Sequence, residues 1–253
     1  MKPAQPIQFD DEPQSNKVRA QILDQEPYAI RTFTPSQCVI SYSAGSYHYT
    51  PEGRKLADFT SGVLVANLGH NPVSWWNRIQ EYLGLNALTA GGEYAKCVPL
   101  TAYNAITEIE AAANQRLIAS LQSAPGGSRI NQIMWSARGS EAVQKARRGA
   151  RKRTPGKDMI IATRGGFHGK KGLAGAVTGS EQDKERDERV RFLSFPKAEC
   201  IDIESRKQPL NLTSYQAELD ALWNECGDRL CCIITEPYLG GGGSLHPQKE
   251  YLQ

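Results

Sequence analysis

What this 253-residue sequence has little of narrows its function first. It has almost no surplus of one charge: 30 Lys and Arg stand against 27 Asp and Glu, a net of +3. So balanced a chain gives no electrostatic reason to expect nucleic acid as a partner. No apolar run approaches the length of a membrane span, so no membrane is expected either. Met1 to Gln14 carries Pro and acidic residues but no apolar signal-peptide core. The six cysteines (Cys38, Cys97, Cys200, Cys226, Cys231, Cys232) include no C-x-x-C pair. Reduced, buried thiols in a cytoplasmic protein are the expectation, and no metal site is foreseen. The Walker pattern G-x-x-x-x-G-K-[ST] occurs nowhere, and no helix clearly follows Gly240–Gly243 at the offset of a dinucleotide fingerprint. There is no internal repeat. The one basic cluster, Arg147-Arg148 with Arg151-Lys152-Arg153, reads as a solvated helix face with cations near its C-terminus.

What is present falls into two styles. Residues 1–15 read as a flexible tail, and residues 16–72 as a β-rich segment of a small domain. A short helix over 16–26, strands at Cys38–Tyr42 and Tyr47–Tyr49, a Thr-Pro-Glu-Gly-Arg turn and a strand at Lys55–Phe59 are expected there. Asn71 is placed to cap a helix that has Pro72 at its first position and runs to about Leu83. Residues 84–100 read as an irregular connection. From Thr101 a helix carries Ile106, Ile109, Ala113, Leu117, Ile118 and Leu121 at helical spacing, and Pro125-Gly126-Gly127 stops it. Then strands and helices alternate: strand 130–136, helix 140–153, strand 158–163, a short helix near 169–176, strand 190–195, helix 213–225, strand 230–235. That order predicts an α/β fold with a mainly parallel sheet covered by helices on both faces. Residues 73–253 are taken as a large domain, with 180–191 a mixed-charge surface loop.

Residues 134–168 hold the candidate chemistry. Arg138-Gly139-Ser140 ends one strand and opens a helix, where free backbone N–H groups and the helix dipole favour an anion. An ordinary helix cap is the plainer explanation of the same residues. Phe167 and His168 follow the next strand on a glycine-flanked turn, either as packing or as a flat surface for a ring. Lys170-Lys171 read as solvent-facing. Glu236-Pro237 follows the strand ending at Thr235, at the strand end where open α/β sheets place ligands.

Four stretches taken together resemble the class III pyridoxal-5′-phosphate-dependent aminotransferases, which include acetylornithine, ornithine and 4-aminobutyrate aminotransferases. They are Asp58-Phe59-Thr60-Ser61-Gly62-Val63-Leu64-Val65-Ala66-Asn67-Leu68-Gly69-His70-Asn71-Pro72, Gly139-Ser140-Glu141-Ala142, Gly165-Gly166-Phe167-His168-Gly169 and Glu236-Pro237. They occur in the family's order over nearly the whole chain. The resemblance implies a fold-type-I architecture and pyridoxal 5′-phosphate as cofactor. It implies transfer of an amino group from an amino acid or amine donor to a 2-oxo acid, and a homodimer when full length. It also implies roles: Gly139 and Ser140 at the cofactor phosphate with Arg138 beside them, Phe167 on the ring with His168 next to it, Glu236 in the polar network near the ring, and Val63 on the substrate pocket.

Three departures stand out. Arg138 replaces the family's usual Ser or Thr beside the phosphate. Gly241 stands where many relatives carry a second Glu. The family's pyridine-nitrogen Asp and Schiff-base Lys lie beyond the stretch these 253 residues match, and Lys249 does not sit in the family's lysine motif. The sequence is therefore read as an N-terminal part of such an enzyme, incomplete at the C-terminus and inactive alone. A non-catalytic dimerisation or regulatory scaffold is the alternative, and a nucleotide-binding α/β protein a third.

Overall fold

A computed structural model of the chain describes residues 7–25, 37–85, 93–99, 105–183, 187–202 and 204–253. The chain divides into two compact units, Met1–Thr107 and Glu108–Gln253. The break read from the sequence at residue 72 instead falls inside the first unit.

In the first unit helix α1 (Pro13–Gln25) precedes a three-stranded antiparallel sheet of β1 (Tyr42–Ala44), β2 (Tyr47–Tyr49) and β3 (Lys55–Ala57). The expected strand at Cys38–Tyr42 is displaced toward the turn. The two-residue turn Gly45-Ser46 sets the register, pairing Tyr42 with Tyr49, Ser43 with His48 and Ala44 with Tyr47. The Tyr42 and Tyr49 rings stack with centroids 4.5 Å apart, a cross-strand pair that reinforces this register. The stretch expected as a loose tail is fastened at its inner end. The Ser15 amide and hydroxyl both donate to Glu52 at 2.7 Å, and Arg19 is paired with Glu12.

Beyond β3, Asp58 accepts from His70 Nε2 at 2.7 Å and from the Thr60 amide and hydroxyl. These bonds hold its carboxyl well below the usual carboxylate range. The one-turn element α2 (Ser61–Leu64) winds left-handed, with φ of +51°, +58°, +59° and +66° along it. Val63 has a branched Cβ and rarely adopts that region, so this turn is strained. Helix α3 (Val73–Leu83) follows, with Pro72 at its N-cap and Gly84 closing it in the left-handed region. Asn71 does not cap it. Its side-chain amide donates to the Ser43 carbonyl and its oxygen accepts from Trp76, tying the helix entry to β1.

The second unit starts with α4 (Glu108–Gln122), later than the Thr101 start expected. Residues 100–104 lie outside the described ones, and Ile106 precedes the helix, exposed. The strand expected at 130–136 carries no ladder pairing. Its apolar pattern supplies side chains, but a strand needs a hydrogen-bonded neighbour, and the described residues supply none.

From there the alternation holds. Helix α5 (Gly139–Arg153) leads to β4 (Met159–Thr163) and then α6 (Gly172–Ala176). Strand β5 (Val190–Leu193), α7 (Lys197–Ile201), α8 (Thr213–Cys226) and β6 (Leu230–Ile234) follow. The sheet order is β5-β4-β6, and both pairings are parallel. Every residue of β4 is buried, the mark of a central parallel strand. Ile160, Ala162, Ala176, Val177, Val190 and Phe192 form the core against α6, with Val143 of α5 packed on it. Among the described residues β6 lies at one edge of this sheet, and its Ile233 is half exposed.

Two expectations are corrected by burial. Arg147 does not belong to the solvated face of α5: it is buried and pairs with Asp187 at 3.4 Å, while Arg148, Arg151, Lys152 and Arg153 are exposed. Its helix position turns inward toward the sheet, and a buried cation needs an anion. All six thiols are free, but Cys38 and Cys97 are exposed and only Cys226 is buried. No helix among the described residues is long and apolar enough to cross a membrane.

Candidate functional site

The sheet order locates the site. The chain leaves β4 for β5 on one side and returns to β6 on the other, so β4 is where the topology reverses. Ligands of open α/β sheets bind outside the strand C-termini at such a point. There Thr163 donates to Thr235 across the ends of β4 and β6 at 2.7 Å. The segments just beyond them, 164–169 and 235–243, converge.

Glu236 holds the convergence. Its Oε2 accepts from the Phe167 amide at 2.8 Å. A Cβ on Gly166 would lie 3.0 Å from His168 Nε2 and 3.6 Å from Glu236 Oε2, so the three residues are in close register. A Cβ on Gly241 would meet the Phe167 side chain at 3.5 Å. The Phe167 ring is half exposed, whereas His168 is buried. The sequence put both on one turn; the structure exposes one and buries the other.

Helix α5 meets the same cluster at its first turn. Arg138 sits at the N-cap with extended backbone and gives no side-chain cap bond. The Glu141 and Ala142 amides bond back to the Arg138 carbonyl at 3.1 Å, and Glu141 Oε2 accepts from the Ala137 amide at 2.8 Å. The Gly139 and Ser140 amides, at the first two helical positions, have no intrahelical acceptor. A Cβ on Gly169 would fall 2.5 Å from Ser140 Oγ and 2.7 Å from Ala174 Cβ. The helix start and the Phe167 turn are thus in direct contact through Ser140 and Gly169, 29 positions apart in the sequence. Space around Gly139 is open, with no atom within 4 Å of a built Cβ. The Arg138 side chain is exposed. Val63 belongs to the first unit and is exposed there.

Two buried polar atoms at this end have no partner among the described residues, Ser136 Oγ and His168 Nε2. Sequence reasoning missed Ser136, which carries no motif beyond its place just before Arg138. An orphaned hydroxyl, unbonded helix amides, open space at Gly139 and a presented aromatic face fit a flat anionic group with a phosphate. A group of the pyridoxal phosphate kind meets that test on this chain's own atoms.

Burial lowers the pKa of His168 below its ordinary value, and the Glu236 charge opposes that shift more weakly. The unfolded chain then binds more protons than the folded one once pH falls below about 6.5. Stability from the buried neutral imidazole is complete above that pH and is lost as pH drops toward the folded value. Thermal unfolding at pH 5.5 and 7.5 should show a smaller loss of stability on acidification for His168→Asn than for the wild type. Equal losses in the two proteins would mean that His168 titrates freely.

Comparison with known proteins gives the family. The family model Aminotransferase class-III matches residues 28–253. A succinylornithine transaminase/acetylornithine aminotransferase of Pseudomonas aeruginosa is 30% identical over 233 residues, 91% of this chain and 49% of that protein. A glutamate-1-semialdehyde 2,1-aminomutase of Methanospirillum hungatei is also 30% identical, over 226 residues, 88% of this chain and 47% of that protein. The chain spans about half the length of the curated relatives it matches. Among solved structures, an S-selective transaminase from Arthrobacter shares the fold with a TM-score of 0.69 at 22% identity, covering 94% of this chain and 51% of that one. An amine transaminase from an uncultivated Pseudomonas species, solved with its pyridoxal phosphate bound, gives 0.70 at 21% identity over 90% of this chain and 51% of that one. Fold, motif geometry and a family match over nearly all its residues lead to one conclusion: the chain belongs to the class-III aminotransferase family.

Proposed function

We propose that the protein of which these residues form part is a pyridoxal-phosphate-dependent aminotransferase that moves an amino group from an amino acid or amine to a 2-oxo acid. The contact between Gly169 and Ser140 carries the reading, because it brings a helix N-terminus against an aromatic turn. When bound, the cofactor ring supplies an electron sink for charge developing at the amino-bearing carbon.

Each step this chain contributes follows from its own atoms. The Gly139 and Ser140 amides and the Ser140 hydroxyl hold the phosphate dianion at the positive end of α5. Arg138, exposed beside them, adds a cation to the cradle. Phe167 covers one face of the ring and keeps water from it. Glu236 fixes the Phe167 backbone, and its charge lies near the buried His168. Val63 is assigned to the substrate wall from its place in the family motif. The lysine that bonds the cofactor is proposed to lie outside these 253 residues, so the segment alone holds cofactor but does not turn over. We assign the working form as a homodimer in the cytoplasm. The uncovered apolar residues Phe59, Leu64, Val65 and Leu68 support a further partner surface.

Equilibrium dialysis of the 253-residue chain against pyridoxal phosphate, ATP and NAD tests the binding part. Saturable binding of the first alone is expected, and preference for a nucleotide would overturn the reading. Borohydride treatment of the loaded chain should leave no stoichiometric label concentrated on one lysine. An amino-donor screen of the full-length protein then reads the transfer itself.

A further inference from the structure

We propose that His48, Asp58 and His70 form a binding site for one divalent cation of the zinc type. None of the three belongs to the cluster of Ser140, Phe167, His168 and Glu236, and the aminotransfer reading assigns them no role.

The ligand atoms converge. His70 Nε2 lies 2.7 Å and His48 Nε2 3.5 Å from the same oxygen, Asp58 Oδ2. All three ligand atoms fall within 4.8 Å of one another. Ligand atoms of a tetrahedral zinc site lie roughly 3.3 Å apart for bonds of about 2.0 Å, so a cation needs only small side-chain adjustments. It would take the place of the proton between His70 and Asp58. Two imidazoles with one carboxylate suit zinc rather than calcium or magnesium, which prefer all-oxygen sets. The fourth position is left for water.

The shell around these ligands is built. Ser43 Oγ contacts His48 Nδ1 at 2.7 Å, fixing the ring so that Nε2 faces Asp58. A ligating histidine holds its second nitrogen in this way. Asp58 Oδ1 accepts from the Thr60 amide and hydroxyl at 2.8 Å, and the Gly62 amide donates to Oδ2 at 3.0 Å. His48 is the middle residue of β2, and the Gly45–His70 bridge anchors His70 to the sheet. The Asp58 side chain is only 4% exposed, while the imidazoles at 19% and 18% leave a path from solvent. The ion would clamp the 58–70 loop, with the left-handed turn at Val63, onto the sheet.

Metal-stripped full chain titrated with zinc in a calorimeter should bind one equivalent at this site and gain thermal stability. Cobalt in place of zinc should give a visible ligand-field band without a sulfur charge-transfer band. His48→Gln should abolish both signals, and Ser43→Ala should weaken zinc roughly 10- to 100-fold. Circular dichroism reports whether each variant folds. Should His48→Gln unfold, Ser43→Ala decides. Cys38 and Cys97 are exposed thiols, so the Cys38→Ser/Cys97→Ser double variant is expected to keep the zinc. Failure of the wild type to bind zinc would overturn the proposal. So would stoichiometry and affinity that are unchanged in His48→Gln and Ser43→Ala.

Discussion

Replacing Gly169 by alanine is expected to destabilise the second unit by about 2–4 kcal/mol, from overpacking together with backbone strain. It should also remove detectable cofactor binding. The new methyl would sit 2.5 Å from Ser140 Oγ and 2.7 Å from Ala174 Cβ, and the φ of +144° disfavours any side chain. Neither neighbour yields easily. Ala174 is buried in α6, and the Ser140 side chain is short, its Cβ only 3.0 Å from the added methyl and fixed on the first turn of α5. Urea denaturation followed by tryptophan fluorescence gives the stability change, and dialysis gives the binding. A variant that stays within 0.5 kcal/mol of wild type, roughly the scatter of surface substitutions, would mean that the two motifs do not touch in solution.

Phe167→Ala should leave stability nearly unchanged and weaken pyridoxal phosphate binding about 10- to 100-fold, the range implied by losing a ring-stacking surface. The ring is half exposed, so little core packing is lost, and the Glu236 bond goes to the backbone amide, which the substitution keeps. Phe167→Tyr should bind nearly as well as wild type. The split between intact unfolding and lost affinity is the diagnostic result. A large fall in stability for Phe167→Ala would show the ring to be packing rather than platform.

Much of this architecture was legible from pattern. Helix α5, the continuous apolar strand β4 and the parallel alternation after residue 139 follow from periodicity and turn residues, because local sequence decides whether such segments are helix or strand. Where expectations shifted, a neighbour decided. Residues 130–136 carry a strand's pattern but have no ladder partner among the described residues. Asn71 has a cap's chemistry, yet its side chain is drawn to the Ser43 carbonyl. Arg147 sits in a basic run but turns inward to Asp187. Cysteines were expected inside, but Cys38 and Cys97 are exposed.

The candidate site divides the same way. Sequence by itself determined the residue types and their order: Gly-Ser at a helix start, an aromatic and a histidine between glycines, a Glu-Pro after a strand. These are local choices of backbone freedom and chemistry, and they suffice to name the family. Only the tertiary structure decided that Gly169 presses on Ser140, that Glu236 holds the Phe167 turn, and that Phe167 is half exposed while His168 is buried with its Nε2 unpartnered among the described residues. It alone brought His48 of β2 together with Asp58 and His70 from the two ends of the loop after β3. Such contacts depend on how a parallel sheet reverses direction and how two hairpins set their register, and neither is encoded in any short stretch of the chain.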